Sequence, residues 1–290
     1  MKRIDFRDQI SKNKRNSFFL MFVVFLILVL LGYVISFLFE PGYFFIIMIF
    51  SIVFSIGYIL FSFYNSDKIS IASVGARRAS REKYKDYYRL VEGLTIASGL
   101  SMPKLYVMDM NQINAFASGR DPKHAVVCVS RGALEKLEKR ELEGVLAHEL
   151  SHIANYDIRY MTLVSVMVGM IAIISELFLR SLWFRDRDND KGGILIVVGI
   201  ALAIIAPIVV YFVQLAISRK REFSSDAMAV KFTRYPDGLI RALEKIKNDS
   251  VSSEKKVNKA VAPLFFANPF RGLSSTHPPI DKRIEVLKSM

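Results

Sequence analysis

Apolar residues gather into four long runs in this chain, set between stretches of polar character. The first two, about Ser17–Phe39 and Tyr43–Phe63, each reach the roughly 20 residues a helix needs to cross a ~30 Å hydrocarbon core. Only Glu40-Pro41-Gly42 separates them, which predicts a tight helical hairpin. The first run is too long for a signal peptide, and no small-x-small cleavage site follows it before the second, so a membrane anchor is expected. Two more runs follow at about Met161–Leu179 and Ile194–Ile217. The later one can span despite Pro207, because a membrane bundle satisfies the backbone groups that proline frees. The earlier one is marginal in length and carries Glu176, one helical turn before Arg180, a spacing that reads as an interfacial ion pair. Hydropathy leaves open whether these two runs span fully or form a hairpin partly buried against protein.

Between the runs the pattern changes. A basic, helix-prone stretch (about Arg77–Ser98) leads into Pro103–Met108. That segment, Asn114–Ser118 and Ala125–Ser130 are short apolar or alternating runs bounded by turn residues, which predicts strands of a small sheet. Arg131–Glu138 and Glu141–Asn155 read as helices. The tail from Ser218 is polar, and Asn248–Lys259, rich in Ser, Lys and Asn, predicts a mobile linker. The expected architecture is a mainly α-helical membrane protein with about four transmembrane helices and an α+β domain. Its parts are residues 1–65 (N-terminal segment and hairpin), 66–157 (first part of the polar domain), 158–217 (second hairpin) and 218–290 (second part).

Composition supports that division. With 52% hydrophobic and 23% charged residues, and a mean hydropathy of +0.30, the chain suits a membrane protein with a sizeable water-exposed domain. The net charge of +13 could suggest nucleic acid, but its distribution argues against that partner. Lys2, Arg3, Arg7, Lys12, Lys14 and Arg15 precede the first run, and Lys68, Arg77, Arg78, Arg81, Lys83, Lys85 and Arg89 follow the second. This is the bias expected of cytoplasmic flanks. The single cysteine, Cys128, rules out an internal disulfide and any cysteine-rich zinc site. Its setting, Ala125-Val-Val-Cys-Val, assigns it to packing in a buried strand, and His124 beside it reads as a strand-surface residue.

Chemistry enters at residues 148–152, His-Glu-Leu-Ser-His. On a helix, positions i and i+4 share a face, so His148 and His152 can offer two imidazole nitrogens to one ion. Glu149 sits beside them, where it can take a proton from a metal-activated water. A hydrolytic zinc site needs a third protein ligand. Metzincins would place Gly and His where this chain has Asn155 and Ile158. An intramembrane protease would bury the motif in apolar surroundings and recruit a distant aspartate such as Asp237. The charged run Glu135–Glu143 before His148 cannot lie in hydrocarbon, however, and Asp237 in Pro-Asp-Gly reads as a turn residue. There remains Glu222 in Arg221-Glu-Phe-Ser-Ser-Asp-Ala, with Asp226 one turn on, placed to fix a histidine tautomer. A solvated charged face is the plain alternative for that segment, and it weakens beside an incomplete two-histidine site.

The chain resembles HtpX-type membrane zinc metalloproteases, relatives of the prenyl-protein (CAAX) endoproteases. The resemblance is carried by Asn114–Gly119, His148–Asp157, Arg221–Ala227 and Ser275-Thr-His-Pro-Pro, in that order, and spans nearly the whole chain. It implies a gluzincin-like catalytic domain with His148, His152 and Glu222 as zinc ligands, one ion per chain, and Glu149 as general base. It further implies that Asn114, Ala115, Phe116 and Ala117 belong to an edge strand that holds an extended peptide. Asp157 and Asp226 would be carboxylates behind the ligand histidines, His277 a catalytic histidine near the metal, and Arg283 structural. The implied activity is an endopeptidase of misfolded or unfolded membrane proteins, acting in quality control and stress response. It would sit in the cell membrane as a multi-pass protein with its catalytic domain in the cytoplasm and the bilayer as its other partner. Two other readings stand beside it, a non-catalytic zinc-binding scaffold and a prenyl-protein processing protease.

Overall fold

The computed structural model describes residues 6–36, 39–165, 219–249, 265–266 and 278–290. Helix α1 (Phe6–Ser36) returns through a 3-10 turn at Pro41–Tyr43 into α2 (Phe44–Tyr64). Ile10–Tyr33 and Pro41–Tyr64 are each long and apolar enough to cross a membrane. Phe45, Ile49, Phe50 and Val53 of α2 are exposed, a surface that water would penalise and hydrocarbon would not. Small residues close the hairpin. Gly32 lies directly against Ser51, and buried Ser51 donates its hydroxyl to Ile47 O at 2.8 Å, so that group is paired within the helix. α1 begins well before the apolar run, and its polar first turns extend to the next domain.

That domain is built on a four-stranded sheet of β1 (Arg77–Arg78), β2 (Lys104–Met108), β3 (Ala115–Gly119) and β4 (Ala125–Ser130), in the order β1-β2-β4-β3. β2 and β4 run parallel, and the outer pairs are antiparallel, with Ala115 opposite Val129 and Ala117 opposite Val127. All six residues of β4 are buried, because both faces of the sheet are covered. On one face Ala115, Ala117, Val127 and Val129 pack with Leu90, Val91 and Leu94 of α4 (Lys85–Ser98) and with α6 (Lys139–Ala154). On the other, Phe116, Val126 and Cys128 meet Ile71 of α3 (Ser66–Ser73), Met161 and Phe265. Cys128 is fully buried, and burial holds its thiol far above the usual range, in keeping with a packing role.

α5 (Arg131–Lys136) leads into α6, which starts where the local sequence says it should. Glu138 and Glu141 form a reciprocal capping box, the Glu138 N–H donating to Glu141 at 2.7 Å. Helices α7 (Arg219–Thr233), α8 (Asp237–Asp249) and α9 (Ile280–Lys288) belong to the same core cluster. α6 and α8 touch backbone to backbone at two glycines. A Cβ on Gly144 would lie 2.6 Å from Leu239 N, and one on Gly238 would strike Arg140 O.

Several expectations shift. The basic stretch Arg77–Ser98 is not one helix. Arg77 and Arg78 pair with Val107 and Tyr106, the Ala79 N–H reaches Leu105 O at 2.9 Å, and the helix starts only at Lys85. A two-residue strand carries no readable alternation. α3 has no counterpart in the pattern reading. Asn248 and Asp249 end α8 instead of opening a linker, because the Asp249 carboxylate accepts from Ile113 N at 2.7 Å and Lys136 Nζ at 2.6 Å. His124 closes a 3-10 turn (Pro122–His124) ahead of β4, its ring 2.8 Å from Asp121. Asp237 opens α8. Of the later apolar runs, residues 157–165 are helical, and Tyr160, Leu163 and Val164 pack on Leu20, Val24 and Leu28 of α1. The rest of both runs, with Glu176, Arg180 and most of the expected linker, lies outside the described residues.

Candidate metal centre

α6 is almost wholly buried over its C-terminal half, and it presents His148 and His152 one turn apart toward α7. Their Nε2 atoms are 3.1 Å apart. Glu222, in the first turn of α7, completes a triangle, one carboxylate oxygen 3.7 Å from His148 Nε2 and the other 3.7 Å from His152 Nε2. All three side chains are buried, and one donor atom from each falls within 4.8 Å of the others. An ion holding tetrahedral ligands at 2.0–2.1 Å requires donor separations of about 3.3 Å. The separations of 3.1 and 3.7 Å lie on either side of that value, so the three residues form a donor set that could hold a metal ion.

The rings are aimed from behind. His148 Nδ1 faces Asp226 Oδ1 at 2.9 Å, and His152 Nδ1 faces Asp157 Oδ2 at 3.0 Å. Each imidazole thus has Nδ1–H engaged with a carboxylate and Nε2 left for the ion. The second contact depends on a backbone reversal. After α6, Tyr156 takes the left-handed conformation (φ 59°), which turns the chain so that Asp157 points back at His152. Burial favours the neutral form of His148, whose pKa falls to about 4 despite Asp226. Burial acts on His152 in the same sense, but Asp157, Glu222 and Glu149 outweigh it and raise its pKa to about 9.

Glu149 is buried and accepts the Ala117 N–H of β3. Burial, with the Glu222 charge acting in the same sense, lifts its pKa to about 7. That value suits a group that must both accept and release a proton near neutrality. β3 is an edge strand, and the side chains of Asn114, Ala115, Phe116 and Ala117 are all buried. What the strand offers to the site is its backbone edge. Part of that edge is already engaged, since the Phe266 N–H donates to Ala115 O at 2.8 Å and the Phe266 ring stands edge-on to His148.

The residue pattern did not reveal three supports. Arg283, fully buried on α9, donates Nε to Asp226 Oδ2 at 2.9 Å and a terminal nitrogen to Asp226 Oδ1 at 2.6 Å. Burial alone would raise the Asp226 pKa, but this guanidinium holds it well below the usual carboxylate range. Arg221 pairs with Asp157, its Nε 2.8 Å from Oδ1. Asn13 of α1 reaches the same carboxylate oxygen. Arg221 stood in the segment around Glu222 and Arg283 came from the resemblance, but nothing in linear spacing joins either of them, or Asn13, to the carboxylate it holds. His277 lies outside the described residues.

Comparisons with known proteins identify the family. Peptidase family M48 matches residues 81–290. A protein named Protease HtpX homolog from Dictyoglomus thermophilum is 43% identical over 295 aligned residues, covering 100% of this chain and 96% of that one. One from Caldanaerobacter subterraneus is 42% identical, covering 97% and 96%. A solved structure, that of S. mikatae Ste24p, aligns with 90% of this chain and 61% of its own length, at 19% identity and a TM-score of 0.48. With full-length relatives that close and a buried donor triangle beside a glutamate, the chain belongs to peptidase family M48 and is a metalloprotease, a hydrolase of peptide bonds.

Proposed function

We propose that the chain is a zinc endopeptidase held in the cell membrane, with its active site on the cytoplasmic side, that cleaves misfolded or unfolded membrane proteins. The observation that carries the reading is the convergence of His148, His152 and Glu222 beside buried Glu149. Two imidazoles and one carboxylate are the donor set of hydrolytic zinc sites. Zinc, when bound there, polarises the scissile carbonyl and acidifies a water. Glu149 takes a proton from the attacking water as the new carbon–oxygen bond forms. It returns that proton to the leaving amine as the peptide bond breaks. An extended substrate pairs with the backbone edge of β3, so that main chain rather than side chains is recognised, which suits loosely folded substrates. By resemblance alone, His277 either stabilises the oxyanion or occupies the open zinc position at rest.

Orientation is argued from charge and contacts. Lys12, Lys14 and Arg15 stand before the apolar part of α1, and Lys68, Arg77 and Arg78 follow α2. At the foot of the hairpin, Arg120 lies over the Tyr64 ring at 5.2 Å, Arg159 over Phe63 at 5.6 Å and Lys14 over Tyr156 at 4.4 Å. Cations stacked on aromatics at the end of a spanning hairpin favour a catalytic domain lying against the membrane surface. The test is detergent-purified or liposome-reconstituted protein given an unfolded and a folded form of one membrane protein. Cleavage of the unfolded form alone, blocked by chelation and restored by zinc, is the expected result. Equal cleavage of both would remove the quality-control reading, and labelling of a single cysteine placed beside Lys68 from the outside of intact cells would overturn the orientation.

A further inference from the structure

We propose that Asn13, in the polar first turns of α1, is a positioning residue of the metal centre, so that the membrane hairpin is part of the active site and not only its anchor. Asn13 is 3% exposed on a helix segment whose neighbours Lys12 and Arg15 face solvent. One amide nitrogen serves two acceptors, Asp157 Oδ1 at 2.6 Å and Asn155 O at 3.0 Å. Its carbonyl oxygen accepts from an Arg221 guanidinium nitrogen at 3.3 Å. Both ends of the amide are therefore used, in a place where an unpaired one would be penalised.

The partners give the contact its meaning. Asp157 is fully buried, and its other oxygen holds His152 Nδ1. Arg221 directly precedes Glu222 and binds the same Asp157 oxygen as Asn13. One side chain from α1 thus braces the carboxylate behind one ligand and the residue next to another, closing a ring of Asn13, Asp157 and Arg221. Groups that fix a ligand histidine typically contribute 10- to 100-fold to metal affinity or activity. Asn13 stands well before the stretch that matches the peptidase family, so this support comes from outside the shared catalytic segment. Further along α1, Leu20 is fully buried in an apolar cluster with Tyr160, Leu163 and Val164, a contact between hairpin and domain that is separate from this polar ring.

The inference rests on reading His152 and Glu222 as metal ligands, and the experiment separates the two ideas. Full-length wild type, Asn13→Ala, Asn13→Asp and Leu20→Ala are purified in detergent and loaded with zinc. Zinc per chain, the rate of zinc loss to a chromogenic chelator, the cobalt-substituted absorption spectrum and the metal-free melting temperature are measured for each. Asn13→Ala should lose zinc about 10-fold faster or more, with an altered cobalt spectrum and kcat lowered at unchanged KM. Asn13→Asp keeps the size but sets a carboxylate against Asp157, and should lose zinc faster too. Leu20→Ala should melt lower yet release zinc at the wild-type rate. Wild-type zinc release and cobalt spectrum in both Asn13 variants would overturn the proposal. So would equally fast release from Leu20→Ala, because the effect would then be general loosening. Wild type that takes up no zinc would instead overturn the metal reading, and this inference with it.

Discussion

His148 and His152 are aimed as candidate ligands by the residues behind them. Asp226 fixes one ring and Asp157 the other, and each carboxylate is itself held by a buried arginine, Arg283 or Arg221. Asp226→Asn keeps the shape but weakens that hold, so zinc affinity by competition dialysis should fall about 10- to 100-fold. Arg283→Met should do more harm. It leaves the Asp226 charge buried without its partner, and loss of one member of such a pair costs about 3–5 kcal/mol. A melting temperature unchanged from wild type would contradict that account. At this scale the motif residues were legible, because helical spacing alone puts His148 and His152 on one face. Arg221 was not, and Arg283 came as structural from the resemblance alone, because an arginine in a polar segment reads the same whether it is solvated or buried on an aspartate.

α6 is the element on which the site is built, and its placement depends on small residues. Gly144 and Gly238 allow α6 and α8 to meet at backbone distance. Gly144→Ala should push them apart and destabilise the protein by about 1–3 kcal/mol, read as a lower melting temperature. β3 offers a different test. If substrate pairs with its backbone edge, a peptide substrate N-methylated at the residue opposite Ala117 should show a raised KM, while methylation at outlying residues leaves it unchanged. The three longer strands and the motif helix were readable from alternation and helical spacing. β1 and α3 were not, since two residues cannot show a period and Ser66–Ser73 has little apolar patterning. The turn at Tyr156 was equally hidden, for its left-handed conformation is adopted by a tyrosine and not marked by a glycine.

At the scale of the molecule, an apolar hairpin and a polar catalytic domain are joined by buried contacts, Leu20 with Leu163 and Asn13 with Asp157. The hairpin was legible as two apolar runs, but the joint was not, because one buried asparagine among lysines carries no signal in a sequence. A metal binding the folded state alone stabilises it, by about 2.7 kcal/mol at a free concentration 100 times Kd. Chelation should therefore lower the melting temperature by roughly 5–10 °C, and zinc should restore it. The most direct test of the whole account compares wild type with Glu149→Gln for bound zinc and for cleavage of an unfolded substrate. The account predicts one zinc in each protein and cleavage by wild type alone, since the ligands survive and the proton carrier does not. Equal cleavage by both proteins, or zinc lost with Glu149, would contradict it.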